Sequence, residues 1–266
     1  MKNILEEIIA VKEKQVEFEK KDMPVSEWEK RSFFSRKCFS LRASLLDNKR
    51  TGIIAEFKRK SPSKGITNDK ALVTEVTRAY TSNGASGLSV LTDRAYFGGT
   101  AEDLEKARIN DIPILRKDFI VDEYQLIQAK AIGADVILLI AACLSPARVK
   151  RYAAFAKKIG LEVLLEIHND TELSHICDEI DMVGVNNRDL KTFKVDIDTS
   201  LKLINKIPTG IVAIAESGIN DVETIVILKQ AGFRGFLIGE TFMKQADPAI
   251  AFADFTKKLK AKVDEN

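Results

Sequence analysis

The sequence predicts a single α/β domain, a (β/α)8 TIM barrel with an N-terminal helical extension. The 266 residues are 45% hydrophobic and 30% charged, which suits one barrel with a large core. From residue 51, short apolar runs alternate with amphipathic segments, as in right-handed βαβ units. Eight such units in roughly 215 residues fit a closed barrel. We take residues 1–266 as one domain, with 1–48 as the extension and 49–266 as the barrel.

The extension is predicted to be helical. Apolar residues between Ile4 and Ile9 recur at helical spacing among charged residues. Ser26 and Glu29 have the spacing of a capping box and predict the start of a second short helix. Residues 40–46 predict a third. Because so short a segment cannot bury a core of its own, we expect it to pack on the barrel and to cover its mouth.

The predicted barrel strands are eight Val/Ile/Leu-rich runs, a composition that suits strands covered on both faces. Gly160 and Gly232 follow two of the intervening helical segments, as expected of residues that end helices. The strands lie at residues 52–58, 87–92, 112–117, 135–140, 161–167, 182–187, 211–217 and 235–240. Eight helices accompany them, among them residues 69–82, 122–132, 146–159, 221–230 and, last, about 248–259.

A doubly wound open sheet is the alternative to the barrel. Such sheets usually carry a Gly-rich phosphate-binding loop directly after the first strand. Here that place holds Lys-Arg-Lys-Ser-Pro-Ser, at residues 58–63. The sequence therefore favours the barrel.

Charge and hydropathy argue against several classes of protein. Lys and Arg number 41 and Asp and Glu number 39, and the resulting net charge of +2 gives no reason to expect a nucleic-acid partner. The longest apolar run, residues 136–144, has about half the length that a membrane helix needs. Acidic residues near the N-terminus do not fit a signal peptide. We expect a cytoplasmic protein without a membrane partner.

Cysteine and histidine predict neither a disulfide framework nor a metal site. Cys38, Cys143 and Cys177 are odd in number and lack the spacing of either. His168 and His175 have no supporting cluster of ligands, so we assign both to packing or to the surface. No cofactor and no metal ion are predicted.

Charged and polar side chains stand where five of the predicted strands end. Because strand ends converge at one face of a barrel, and that face carries the chemistry, we expect an acid–base site there. Alternation along the first strand places Glu56 and Lys58 on one face and Phe57 on the other. The alternative is an inert network of ion pairs. The other strand ends supply Arg116, Lys117, Asp118, Glu166, His168, Asn186, Asn187, Arg188 and Glu216.

A phosphate site is predicted after the last two strands. Ser217, Gly218 and Gly239 are small residues with free backbone N–H groups, and in barrels these loops often bind phosphate. A simple turn glycine is the alternative for Gly218. The basic loop at residues 59–65 is either a solvated loop or a lid over an anionic substrate.

Six segments, within residues 34–245 and in the right order, resemble one enzyme family. The first is highly specific, whereas the last also occurs in related phosphate-binding barrels. They read IAEFKRKSPS (54–63), LSVLTDRAYFGG (88–99), LRKDFIVDEYQL (115–126), LLEIH (164–168), VGVNNRDL (183–190) and AESGI (215–219). On these residues the sequence resembles the indole-3-glycerol phosphate synthase family.

The resemblance implies a reaction in tryptophan biosynthesis. The substrate would be 1-(2-carboxyphenylamino)-1-deoxyribulose 5-phosphate, closed to indole-3-glycerol phosphate with loss of CO₂ and water by a carbon–carbon lyase. By family motif, Lys117 matches the general acid of ring closure and Glu166 the general base of dehydration. Those residue types suit the chemistry, because an ammonium group stabilises a developing alkoxide and dehydration needs a base nearby.

The resemblance also implies roles for the other strand-end residues. Lys58 matches a second lysine at the reacting centre, and Glu216 a carboxylate that positions the ribulose hydroxyls. Glu240 stands where relatives also have a small residue, and we expect it to point away from the phosphate. Glu56 and Asn186 match residues that orient the substrate, and Arg188 matches a residue near its carboxylate. The matches for phosphate contacts are Ser61, Ser217, Gly218 and Gly239. The matches for a slot around the anthranilate ring are Ser89 and Phe119, with Leu91, Phe97, Leu138 and Leu190.

The predicted partners follow from this resemblance. They are the anthranilate-ribulose phosphate substrate and, beyond it, other enzymes of the tryptophan pathway, with the chain itself a monomer.

Two alternative functions stay open. One is a related phosphate-binding barrel such as phosphoribosylanthranilate isomerase, which lacks the Glu-x-Lys of the first strand. The other is a non-catalytic phosphosugar sensor, which would have little use for Lys117 together with Glu166.

Overall fold

The barrel strands lie where the sequence predicts them. The structure, a computed structural model, describes residues 4–190 and 192–264. Its strands are β1 (Ile53–Phe57), β2 (Lys60–Ser61), β3 (Gly65–Ile66), β4 (Gly87–Leu91), β5 (Ile114–Lys117), β6 (Val136–Ile140), β7 (Glu162–Ile167), β8 (Met182–Asn186), β9 (Val212–Glu216) and β10 (Gly235–Ile238). β1 pairs in parallel with both β4 and β10, which closes the eight-stranded barrel. β2 and β3 form a small antiparallel hairpin in the loop after β1.

The helices surround the barrel and differ from the predicted eight: within residues 4–190 and 192–264, one predicted helix is replaced, and two short α-helices, Arg94–Phe97 and Glu240–Met243, are additional. Between β7 and β8 the chain forms a short 3-10 helix, Asp170–His175, in place of an α-helix. Asn169 accepts hydrogen bonds from the backbone of Thr171 and Glu172 there, and such side chains compete with regular helix formation. The α-helices that accompany the barrel are α4 (Val73–Ser82), α5 (Arg94–Phe97), α6 (Ala101–Ala107), α7 (Tyr124–Ala131), α8 (Pro146–Lys158), α9 (Asp198–Leu203), α10 (Val222–Ala231), α11 (Glu240–Met243) and α12 (Pro248–Asp264).

The extension contains the three predicted helices, α1 (Ile4–Asp22), α2 (Val25–Glu29) and α3 (Leu41–Leu46). The predicted capping box of α2 is wrong. The residue before this helix is Pro24, and no side chain caps it, because the helix already includes Ser26 in its first turn. The hydroxyl of Ser40 caps α3 by accepting a hydrogen bond from the backbone N–H of Ala43.

The extension contacts both ends of the barrel. Ile4, Leu5 and Ile8 of α1 line the cavity at the mouth, as expected. α3 lies at the opposite end, where Leu41 and Leu45 join the apolar core inside the barrel. The mouth is therefore not the only part of the barrel that the extension covers.

The barrel has an inner and an outer apolar core, which follow from the alternation of side chains along each strand. Ile54 of β1 points inward with residues such as Leu115 and Leu164. Phe57 packs in the outer core against the helices. Glu56 and Lys58 consequently face the mouth, as the sequence predicts.

No helix of the part of the chain described, residues 4–190 and 192–264, is long and apolar enough to cross a membrane.

Candidate active site

A cavity of about 590 Å³ opens at the C-terminal ends of the barrel strands. Of the seventeen residues that the resemblance assigns to the site, all but Ser89 line it. They are Glu56, Lys58, Ser61, Leu91, Phe97, Lys117, Phe119, Leu138, Glu166, Asn186, Arg188, Leu190, Glu216, Ser217, Gly218 and Gly239. The strand ends thus bring together residues that are far apart in the chain.

Lys117 stands at the centre of this cavity, at the end of β5. Its Nζ donates to Glu166 Oε2 at 2.7 Å and to Glu216 Oε2 at 2.9 Å. Burial disfavours the charged amine, but the carboxylates of Glu166, Glu216 and Glu56 outweigh burial and raise the pKa of Lys117. The lysine is therefore a protonated, half-buried donor shared by two carboxylates.

Glu166 has more donors than Glu216. Besides Lys117, it accepts a hydrogen bond from Asn186 Nδ2 at 3.1 Å, and His168 Nε2 lies 3.2 Å from its Oε1. Burial alone would favour the neutral acid, but Lys117 and His168 together lower the pKa of Glu166 well below its usual range. Glu166 is accordingly ionised at neutral pH.

The pKa of the neighbouring carboxyl group, that of Glu216, shifts in the opposite direction to the pKa of Glu166. Lys117 holds its Oε2, whereas its buried Oε1 has no hydrogen-bond partner among the described residues. Burial and the charge of Glu166 raise the pKa of Glu216 to about 7, although Lys117 opposes the rise. Gly184 on β8 leaves room for this carboxyl group, because a Cβ there would lie 2.1 Å from Glu216 Oε1.

Replacing Glu216 with glutamine is expected to remove part of the pH dependence of stability. Because the pKa of Glu216 is raised in the folded protein to about 7 from an ordinary 4.5, folding favours the protonated carboxyl. This contribution is complete below the unfolded pKa and is lost as the pH rises through the folded one. From about pH 5 to about pH 8, the wild-type protein should lose about 2–3 kcal/mol of unfolding free energy relative to Glu216→Gln.

Urea unfolding of the two proteins at both pH values measures this difference. His168 also makes stability depend on pH, because its pKa is raised in the folded protein to about 10, but it is present in both proteins and its contribution cancels. Parallel changes in stability for the two proteins would mean that Glu216 is ionised throughout.

Lys58 forms a second pair with Glu56 at 2.8 Å beside this cluster. Ser89 is not among the residues that line the cavity. It is completely buried, and its Oγ lies 3.5 Å from Glu56 Oε2. Ser89 pairs with Glu56 in the register of β4 and β1, so the two side chains lie on the same face of the sheet.

The loops after β9 and β10 form one end of the cavity. Ser217 and Gly218 both have positive φ, +66° and +77°, and Asn187 Nδ2 donates to the carbonyl oxygen of Ser217 at 3.1 Å. Gly239 immediately precedes α11. Glu240 lines the cavity, and its carboxylate turns toward the guanidinium of Arg188, at 3.4 Å.

Two aromatic side chains form an apolar wall at another part of the cavity. The ring centroids of Phe97 on α5 and Phe119 after β5 are 6.1 Å apart. Leu91, Leu138 and Leu190 also line the cavity. The site therefore combines an apolar slot, a group of buried charges and a loop end rich in small residues.

Comparison with known proteins identifies the family. A family model described as indole-3-glycerol phosphate synthase matches residues 5–255. The chain belongs to the indole-3-glycerol phosphate synthase family. A protein of that name from Bacteroides thetaiotaomicron is 46% identical over 97% of this chain and 100% of its own length. Another, from Salinibacter ruber, is 39% identical over 94% of both chains.

Solved structures with lower sequence identity share the fold. Tryptophan synthase subunit alpha from Legionella pneumophila has a TM-score of 0.62 and 13% identity over 85% of this chain and 97% of its own. 3-Hexulose-6-phosphate synthase from Salmonella typhimurium has a TM-score of 0.62 and 14% identity over 79% of this chain and 98% of its own. At these identities the likeness shows the barrel alone.

His168 of this indole-3-glycerol phosphate synthase family member, which the sequence assigns to packing or to the surface, lies beside the cavity but is not among the residues that line it. Its imidazole lies between two carboxylates, 3.2 Å from both Glu166 and Glu172. Although burial opposes protonation, contacts with Glu166 and Glu172 raise the pKa of His168 to about 10. Because it follows Glu166 by two residues at the end of β7, His168 is among the strand-end residues that the sequence lists, and alternation places it on the same side as Glu166.

Proposed function

We propose that this chain catalyses the closure of 1-(2-carboxyphenylamino)-1-deoxyribulose 5-phosphate to indole-3-glycerol phosphate, with loss of CO₂ and water. The observation that carries the proposal is Lys117, an ammonium group held between Glu166 and Glu216 at the mouth of the barrel. Relatives that are named indole-3-glycerol phosphate synthase support the same class of reaction for this chain. The chain would act as a carboxy-lyase in tryptophan biosynthesis.

Ring closure depends on charge that develops at the ribulose carbonyl. The enamine carbon of the anthranilate ring attacks that carbonyl, and the oxygen becomes an alkoxide. Lys117 donates a proton to the oxygen. Loss of CO₂ then returns the electrons of the broken C–C bond to the anthranilate ring and restores its aromaticity. A preorganised ammonium group in a site that excludes water is worth most in the transition state, where the negative charge appears.

Dehydration follows, and Glu166 is the base that we assign to it. One hydroxyl takes a proton from the ammonium group of Lys58 and leaves as water, while Glu166 accepts a proton from the intermediate, which completes the indole. The contacts of Glu166 with Asn186 and His168 favour its ionised form, so the base is ready at neutral pH. Glu216 accepts from Lys117 and would position the ribulose hydroxyls.

The apolar slot and the loop end place the two ends of the substrate. Phe97 and Phe119 supply surfaces for the anthranilate ring. Ser217, Gly218 and Gly239 would bind the phosphate with Ser61, and Lys58 and Arg188 would supply positive charge for the phosphate and the carboxylate.

The decisive experiment supplies the purified protein with the anthranilate-ribulose phosphate and follows indole-3-glycerol phosphate by chromatography. A parallel reaction with phosphoribosylanthranilate tests the isomerase alternative. Product from the first substrate alone supports the proposal. Turnover of phosphoribosylanthranilate alone would favour the isomerase, and binding without turnover of either would favour a phosphosugar sensor.

Glu240→Gln is expected to lower the KM for the substrate about two- to tenfold, which corresponds to roughly 1 kcal/mol. The carboxylate of Glu240 lines the cavity and pairs with Arg188. Removing that negative charge frees Arg188 and reduces repulsion of an anionic substrate. Steady-state kinetics at low and high ionic strength measure the effect, which should shrink with added salt. A raised KM would mean instead that Glu240 holds Arg188 in its binding position.

The site also supports a proposal about assembly and location. Every side chain assigned to the reaction comes from one chain, so a monomer is sufficient for activity. We propose a monomer that acts in the cytoplasm on a small phosphorylated substrate, alongside other enzymes of the pathway. Sedimentation of the purified protein tests the monomer, and a dimer at assay concentrations would contradict it.

A further inference from the structure

The N-terminal helix α1 carries a buried lysine that the mechanism does not use. Lys12 is 2% exposed, and its Nζ lies 2.8 Å from Asp93 Oδ2 and 2.8 Å from Asp118 Oδ1. Both carboxylates are equally inaccessible to solvent. A buried ammonium group between two carboxylates would be costly unless the three charges held each other in place.

Asp93 connects Lys12 to one aromatic wall of the cavity. It is the N-cap of α5, and its Oδ1 accepts a hydrogen bond from the backbone N–H of Tyr96 at 2.7 Å. α5 ends at Phe97, whose ring faces the cavity. Tyr96 also donates to Glu7 of α1 at 3.2 Å. The position of Phe97 therefore depends on a residue that Lys12 holds.

Asp118 connects Lys12 to the other aromatic wall. Its Oδ1, the atom next to Lys12, also accepts from the backbone N–H of Phe119 at 2.8 Å. Its Oδ2 accepts from Thr92 at 2.6 Å and from Arg116 at 3.1 Å. Lys12 and Arg116 balance the charges of the two aspartates. Although burial opposes its charge, these carboxylates raise the pKa of Lys12, which stays protonated.

We propose that Lys12 is a positioning residue for the anthranilate slot. One buried ammonium group of the extension holds the loops after β4 and β5 together and so sets the separation of Phe97 and Phe119. Lys12 is not among the residues that line the cavity, so it acts through the two aspartates. The inference rests on the proposed function, because it takes the ligand of the slot to be the anthranilate ring.

The variant Lys12→Met tests this inference, since methionine keeps the length of the side chain and removes the charge. The product indole-3-glycerol phosphate, which carries an aromatic ring and a phosphate, and glycerol 3-phosphate, which carries the phosphate alone, are titrated by calorimetry. Affinity for the product should fall up to about tenfold, as expected when an aromatic contact with its ring is lost. Affinity for glycerol 3-phosphate should not change. The KM for the substrate should rise more than kcat falls.

Two further variants separate positioning from loss of fold. Lys14→Met is the matched control, because Lys14 is exposed on the same helix, and it should leave both affinities unchanged. Asp93→Asn keeps an N-cap residue for α5 but removes one charge that faces Lys12. It should weaken product binding in the same direction, even where Lys12→Met proves too unstable to titrate.

The outcomes distinguish this inference from the proposed function. Equal weakening of both ligands, or no change in either, in a folded Lys12→Met protein would overturn the positioning role. Unchanged product binding in Asp93→Asn would do the same. Absence of turnover by the wild-type protein would instead contradict the proposed function, whatever the affinities for indole-3-glycerol phosphate and glycerol 3-phosphate.

Discussion

Lys117→Met is expected to lower kcat by about 10²–10⁴-fold, the usual range for a lost general acid. Methionine preserves the length of the side chain but cannot protonate the developing alkoxide. Some loss of stability is also expected, because Glu166 and Glu216 would then face each other without the ammonium group between them. A change in melting temperature therefore does not by itself exclude a catalytic role.

A matched control separates the two effects. Lys130 on α7 is a buried lysine, 6% exposed, and it donates to the carbonyl oxygen of Arg36 at 2.8 Å, away from the cavity. Lys130→Met should lower the melting temperature and retain nearly all of kcat. Measuring both quantities at a temperature where each variant is folded decides the question. If Lys117→Met kept most of its kcat, Lys117 would be a structural ion-pair partner.

Glu166→Gln is expected to lower kcat by about the same range, 10²–10⁴-fold, because glutamine keeps the shape but cannot accept the proton in dehydration. Since the pKa of Glu166 lies well below its usual range, this base stays ionised from about pH 5 upward. The wild-type kcat should therefore show no acidic limb from Glu166 above that pH.

Glu162 gives the control for this substitution. It begins the same strand β7, at the end opposite the cavity, where its carboxylate accepts from Ser40 and from the backbone of Leu41 and Arg42. Glu162→Gln should weaken the docking of α3 and leave kcat close to the wild-type value. Normal turnover by Glu166→Gln, measured by single-turnover kinetics, would assign dehydration to another base.

Local periodicity was sufficient for the barrel and for most of the site. The alternation of Glu56, Phe57 and Lys58 depends only on neighbouring residues, so it could be read from one strand. Lys117, Glu166 and Glu216 then meet because parallel strands in a barrel end at one face. These predictions needed the order of the strands and nothing about distant contacts.

Contacts between distant segments could not be predicted in this way. Lys12 has the sequence context of an exposed residue in a charged helix, and only the docking of α1 places it against Asp118. The contact of α3 with the end of the barrel opposite the mouth likewise depends on how the extension docks. The burial of Ser89 beside Glu56 also depends on its depth in the barrel, which a family motif does not give.

The position of Trp28 has a consequence for spectroscopy. It is the single tryptophan of the chain, 7% exposed, with its Nε1 donating to Tyr124 of α7 at 2.7 Å and the guanidinium of Arg31 5.2 Å from its ring. Tryptophan fluorescence of this protein therefore arises where α2 of the extension meets the barrel. Detachment of the extension should shift that emission to longer wavelength while the far-ultraviolet circular dichroism of the barrel persists, so two optical signals resolve undocking from unfolding.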